Sequence, residues 1–380
     1  MNALQPLVVD AHEDLAWNML TFGRDYTRPA AQTRQSEKDS LAPQVNDDVL
    51  LGWPDYLRGR VALVFASLFA APAQHQAGPW ELQYYTDDIQ AERLYLAQLD
   101  AYWRLADEHP DKFRLVQTHQ DLAQVLSAWE SFVPPSHDQE NAPGSVQMPA
   151  VGLVILMEGA EAVRQPQDLE NWWQRGVRII GPSWMGNRYG GGTRQPGPLT
   201  ADGFALLEGM AQYGFVLDLA HMDEKAALQA LDAYPGAIIA SHSNALALLK
   251  GSTSNRHLSD RLLQGILERD GVIGINFFGT FLKFGWVKGQ SRLEISLQQV
   301  VNQIDYICQM AGDARHVGIG SDFDGGFGLQ SVPHEIDTVA DLQKLVPLLS
   351  EKGYTDTAIT AILGSNWIDL LRKTLPEARG

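Results

Sequence analysis

Eight apolar runs of strand length, separated by amphipathic stretches, predict a (β/α)₈ barrel for this chain. Two further observations point the same way. Several runs are apolar throughout rather than alternating, as parallel strands covered on both faces should be. The ionisable residues that interrupt them gather at their C-terminal ends, the face on which such barrels build their sites. A doubly wound sheet shares the strand–helix alternation and is the competing architecture. No linker divides the 380 residues and no internal repeat is visible, so one barrel over residues 1–380 is expected, with loop insertions.

The first run is LVVDAH (7–12), followed by an irregular stretch over 22–60 and then VALVFASLF (61–69). A second irregular stretch, 71–87, precedes DIQAERLYLAQLDAYWRLADE (88–108), whose apolar residues recur at three and four and read as helix. Residues 131–149 are again irregular, and PPSHDQENAPGS (134–145) reads as a mobile surface loop. VGLVILMEG (151–159) and VRIIGPSW (177–184) are the third and fourth strands. Residues 185–200 follow, and RYGGGTRQPGP (188–198), with its glycine triplet and two prolines, is a candidate lid on the catalytic rim. Helical patterns at 201–213, 224–234 and 259–270 then interleave with FVLDLAH (215–221), AIIASHS (237–243), VIGINFF (272–278) and HVGIGSDF (316–323).

Formal net charge is −17, from 46 acidic against 29 basic residues, which argues against nucleic-acid binding. The single cysteine, Cys308, rules out an intrachain disulfide and makes thiolate ligation of a metal improbable. No run approaches the ~18 apolar residues of a membrane span. MNALQPLVV lacks the basic start and apolar stretch of a secretory signal, so no membrane association and a cytoplasmic location are expected.

The site residues follow from the strand ends. His12 and Asp14 end the first strand, Glu158 the third, His221 the fifth, His242 the sixth, and Asp322 with Asp324 the eighth. Imidazole with carboxylate is the ligand set of Zn²⁺ and related ions. The H-x-D spacing puts His12 and Asp14 on one side of an extended strand. Two ions would use all five groups: His12 and Asp14 on one, His221 and His242 on the other, Glu158 between them. Ions so paired lie ~3.5–4 Å apart and hold a hydroxide that is nucleophilic near neutral pH.

These segments resemble the membrane (renal) dipeptidase family of the amidohydrolase superfamily. The likeness is carried by DAHEDLAW, MEGAEAV, GVRIIGPSW, GFVLDLAH, ASHSNA, RHLSD, HVGIGSDFDGG and LGSNWIDLL, in the family's order over about residues 8–370. It implies zinc ligation, two ions per chain, by His12, Asp14, Glu158, His221 and His242, with Glu158 bridging where other superfamily members use a carboxylated lysine. It implies Asp322 as the acid that takes a proton from metal-bound water and delivers it to the leaving amine. Asp324 is the rival, read instead as a hydrogen-bonding residue of the DGG turn. Arg256 falls near the arginine that holds the substrate carboxylate, a task suited to a planar guanidinium. Relatives are commonly homodimers.

One departure concerns Trp184. Dipeptidases of the family carry histidine in L-T-H at the end of the fourth strand, where this chain reads G-P-S-W. Tryptophan donates one N–H and cannot be protonated, so it lines or stacks in a pocket rather than stabilising an oxyanion as a cation. Asn187 and Arg188 are candidate substitute donors. The expected function is hydrolysis of small dipeptides. The alternatives are another small amide or a lactone, such as an N-acyl amino acid, or a metal-containing barrel without turnover.

Overall fold

The computed structural model describes residues 5–132 and 148–377. The loop expected at 134–145 lies outside the described residues. Eight parallel strands close into a barrel: β1 (Val8–Glu13), β2 (Val61–Leu68), β3 (Val151–Glu158), β4 (Val177–Gly181), β5 (Val216–Asp218), β6 (Ile238–Ala240), β7 (Val272–Ile275) and β8 (Val317–Ile319). Each pairs with its sequence neighbours. The ring is completed by Asp10 against Ile319 and by a long β2–β3 ladder from Leu63↔Gly152 to Leu68↔Met157. The closed ring decides between the two architectures, since a doubly wound sheet has free edges.

All eight expected strands are present, yet the later ones stop earlier than their apolar runs. Residues 219–221, 241–243 and 320–323 have left the ladders and turn over the barrel mouth. Burial explains the overestimate, because a run can be apolar beyond its hydrogen-bonded part when both faces stay covered. A ninth strand, Phe113–Leu115, pairs with the start of β3. At three residues, it is too short for periodicity to reveal.

The helices are set by capping as well as by periodicity. Asp88–Glu108 begins at Asp87, whose carboxylate accepts from the Gln90 amide. Ala201–Tyr213 begins at Thr200, bonded to the Gly203 amide, and stops at Gly214, whose φ of 83° is left-handed. Glu224–Ala233 and Asp260–Glu268 are capped by Asp223 and Ser259. The expected irregular stretches hold more order than their composition suggests. Helices Ala30–Glu37, Ala42–Asn46 and Trp53–Gly59 fall within 22–60, and Gly190–Gly192 pairs antiparallel with Gln195–Leu199 inside 185–200. No described helix is long and apolar enough to cross a membrane.

Candidate metal centre

Barrel closure carries the strand ends to one point. His12 lies within β1, and Glu158 is the last residue of β3. Asp14 is not extended: it caps the helix Leu15–Phe22, and its Oδ1 still lies 3.6 Å from His12 Nε2. His221 and Asp322 sit in the turns after β5 and β8 with φ of 68° and 62°. Left-handed backbone at residues with side chains is uncommon and costs of order 1–3 kcal/mol, and such positions gather at functional sites.

The ligand-type atoms form two triads that share Glu158. In one, Glu158 Oε2 is 3.7 Å from His12 Nε2, with Asp14 alongside. In the other, Glu158 Oε1 is 3.1 Å from His221 Nε2 and 3.4 Å from His242 Nε2. A third grouping, His12, His242 and Asp322, is nearly as close. All five expected ligands and Asp322 are therefore together.

The chemistry of this donor set fits a cation. Both ring nitrogens of His12 are buried without a hydrogen-bond partner among the described residues, and an unpaired buried polar group costs ~1–3 kcal/mol. The Nε2 atoms of His221 and His242 face each other at 3.0 Å. Behind them, His221 Nδ1 is 3.1 Å from the Thr193 hydroxyl and His242 Nδ1 is 2.8 Å from the Ser241 hydroxyl. With the ring protons on those outer nitrogens, two lone pairs point at one spot beside a carboxylate.

The electrostatics are those of charge withheld from water. Burial, with Arg256 and His12 nearby, holds His221 and His242 well below the usual histidine range. Burial acts against charge on His12 too, but Glu158, Asp14 and Asp322 override it and raise that ring to about 10. Burial raises Asp322 to about 7 and Glu158 to about 8, each opposed by His12.

Above the cluster lies a cavity of about 290 Å³, lined by Asp14, Glu158, His221, Arg256 and Asp322, with Trp17, Phe69, Trp80, Trp184, Phe278 and Phe327 as aromatic walls. Trp184 stands edge-on to Phe69 at 4.9 Å and 6.0 Å from the His221 ring. Arg256 also reaches the cleft. Its Nη atoms donate to Ser243 Oγ at 3.1 Å and the His242 carbonyl at 2.6 Å, and its Nε has no hydrogen-bond partner among the described residues.

Asp324 keeps the hydrogen-bonding role expected of it, whereas Asn187 and Arg188 meet a different geometry. Asp324 accepts from Tyr26 and the Leu50 amide and pairs with Arg24, so it anchors the loop that follows β1 and does not line the cleft. Asn187 donates to Glu161 and the Pro182 carbonyl, and Arg188 pairs with Asp88 and the Val163 carbonyl. Neither lines the cleft, so they are not substitutes for the missing histidine there. The candidate lid instead contributes Thr193 and Arg194.

Several supporting residues escape the strand-end rule. Ser67 donates to Asp14, and Asn276 Nδ2 donates to Asp322 Oδ2 at 2.8 Å. Asp218 and Ser241 stand inside VLDLAH and ASHSNA, so the motifs contained them. Ser67 and Asn276 are polar residues at the ends of the second and seventh runs, whereas nothing local marks Thr193.

The chain is similar to several known proteins. A relative from Klebsiella pneumoniae, an uncharacterized protein in the pqqA 5′ region, is 33% identical over 232 residues, 58% of this chain and 82% of its own. Dipeptidase aclJ of Aspergillus oryzae is 24% identical over 371 residues, 96% of this chain and 77% of its own. Among solved structures, a metallopeptidase from Rhodobacter sphaeroides, liganded with a phosphinate mimic of the dipeptide L-Ala-D-Ala, has the same fold. Its TM-score is 0.74 at 24% identity, covering 97% of this chain and 99% of that one. The family model for membrane dipeptidase, peptidase family M19, matches residues 3–378, so the chain belongs to that family of metal-dependent dipeptidases.

Proposed function

We propose that the protein hydrolyses the amide bond of small dipeptides with two zinc ions per chain. The observation that carries this reading is the divided carboxylate of Glu158, with one oxygen in each triad. His12 and Asp14 would hold one ion, His221 and His242 the other, and Glu158 both. When bound, such a pair polarises a carbonyl and makes water nucleophilic near neutral pH.

The chain's own residues supply the rest. Asn276 occupies Oδ2 of Asp322 and leaves Oδ1 facing His12 at 3.9 Å. That oxygen takes a proton at the cluster and returns it to the departing amine, and a carboxylate beside cations stays ionised until it takes that proton. Arg256, which lines the cleft, would hold the substrate carboxylate with its guanidinium. The aromatic walls exclude water and limit the cleft to short substrates. Similarity to Dipeptidase aclJ and to the metallopeptidase carrying a dipeptide mimic supports the same substrate class.

The test joins metal analysis to a dipeptide panel. Two zinc ions per chain, turnover of at least one dipeptide, and loss of turnover on chelation are expected. Trp184, where dipeptidases of the family have histidine, favours a second reading with another small amide or a lactone. Cleavage of N-acyl amino acids or lactones with no dipeptide cleaved would establish that reading instead. Metal bound without any turnover would leave a non-catalytic barrel.

A further inference from the structure

Asp218 ends β5 and Ser241 directly follows β6, on neighbouring parallel strands, and both are buried. Asp218 Oδ1 accepts from the backbone amides of Ser241 at 2.8 Å and Ala220 at 3.0 Å. Asp218 Oδ2 accepts the Ser241 hydroxyl at 2.5 Å. The same hydroxyl oxygen lies 2.8 Å from His242 Nδ1. A serine has one O–H to give. Given to the carboxylate, it leaves the oxygen able only to accept, so Nδ1 carries the ring proton. The lone pair of His242 Nε2 is then aimed at the shared centre.

Ser241 has little room to move. A methyl placed on Gly274 or on Gly320 would come within 1.9 Å of the Ser241 carbonyl oxygen. The other rings of the cluster lack such backing. His221 meets the Thr193 hydroxyl, whose other hydrogen bond among the described residues is to the His221 carbonyl at 3.3 Å, and His12 Nδ1 has no partner among them.

We propose that Asp218, acting through Ser241, is a positioning residue that fixes His242 as an Nε2 metal ligand. Metal-bound histidines commonly donate their other N–H straight to a carboxylate; here a hydroxyl is interposed. The inference rests on the reading of His242 as a ligand.

The test strips the full-length protein of metal and titrates zinc against a competing chromophoric chelator, with the melting temperature of the metal-free protein recorded alongside. Ser241→Ala is expected to weaken one of the two zinc ions about 10- to 100-fold and to leave the other within about threefold. Asp218→Asn is expected to lose more. Its amide would donate to the Ser241 oxygen, turn the hydroxyl toward Nδ1 and move the ring proton to Nε2, where it blocks the metal. That order separates tautomer control from a packing role, which would lower the melting temperature without it.

Zinc affinities within about threefold of the parent in both variants overturn the inference, as does a loss in Ser241→Ala equal to or greater than that in Asp218→Asn. Should Asp218→Asn not fold, Ser241→Ala decides alone, with about tenfold as the dividing line. His242→Ala is measured in parallel. Retention of both ions there would sink the ligand reading itself, whereas loss of one ion with an unaffected Ser241→Ala would sink only the relay.

Discussion

Nε2 of His12 stands 3.7 Å from Oε2 of Glu158, beyond hydrogen-bond reach although both residues are buried. A direct bond is not made, and a cation held between the two would satisfy both. Glu158→Gln removes the charge that the two triads share. It is expected to lower the zinc content below two per chain, measured by metal analysis, and to reduce turnover with it. Unchanged zinc content would count against the bridge.

The two acids of GSDFDGG should part company on substitution. Asp322→Asn is expected to keep the fold and the zinc while kcat falls about 10²- to 10⁴-fold, the usual contribution of a positioned acid–base group. Loss of an ion in this variant would make Asp322 a ligand rather than a proton carrier. Asp324→Ala leaves the buried Tyr26 hydroxyl and the Leu50 amide without their acceptor while Arg24 keeps Glu37, a loss of about 1–3 kcal/mol in denaturant unfolding.

Trp184 is expected to act on binding. Replacing it with alanine removes an aromatic wall from the cleft and its contact with Phe69. Such ring contacts are worth ~0.5–1.5 kcal/mol, so KM should rise about threefold to tenfold with kcat little changed. A fall in kcat at constant KM would give Trp184 a role in the chemical step.

Gly320→Ala should destabilise the barrel beneath the site. The added methyl would meet the Ser241 carbonyl at 1.9 Å, and overpacking of this kind costs about 1–3 kcal/mol or more. Denaturant unfolding of the metal-free protein measures it, and an unchanged midpoint would refute the close approach.

Cys308 should be inert in the folded protein. Burial, with Asp305 and Asp313 nearby, pushes its thiol to about 11, so at pH 8 about one thiol in a thousand is ionised. The sign is that of a raised acid. Well below its ordinary value of about 9, the thiol is neutral in both folded and unfolded chains and contributes nothing. Above it the unfolded chain ionises first, and stability falls as pH rises toward 11. Reaction with a thiol reagent at pH 8 is expected only on unfolding.

Much of this protein is legible along the chain. All eight strands show as apolar runs, Asp88–Glu108 appears at full length, and His12, Asp14, Glu158, His221, His242 and Asp322 are recognisable as strand-end residues. Local backbone geometry sets those patterns, because helix and strand periods and the covering of a parallel sheet act over a few residues at a time. Tertiary structure alone decided which oxygen of Glu158 faces which histidine. It also drew Trp17, Trp80 and Phe327 into one cleft, and committed Asn187, Arg188 and Asp324 to loop anchoring. These outcomes depend on barrel closure and on the path of each loop across the rim, where the contacting side chains are as many as 300 residues apart, as Tyr26 and Asp324 nearly are. No short-range period encodes such a contact, since its energy exists only once the ring has closed and water has been excluded.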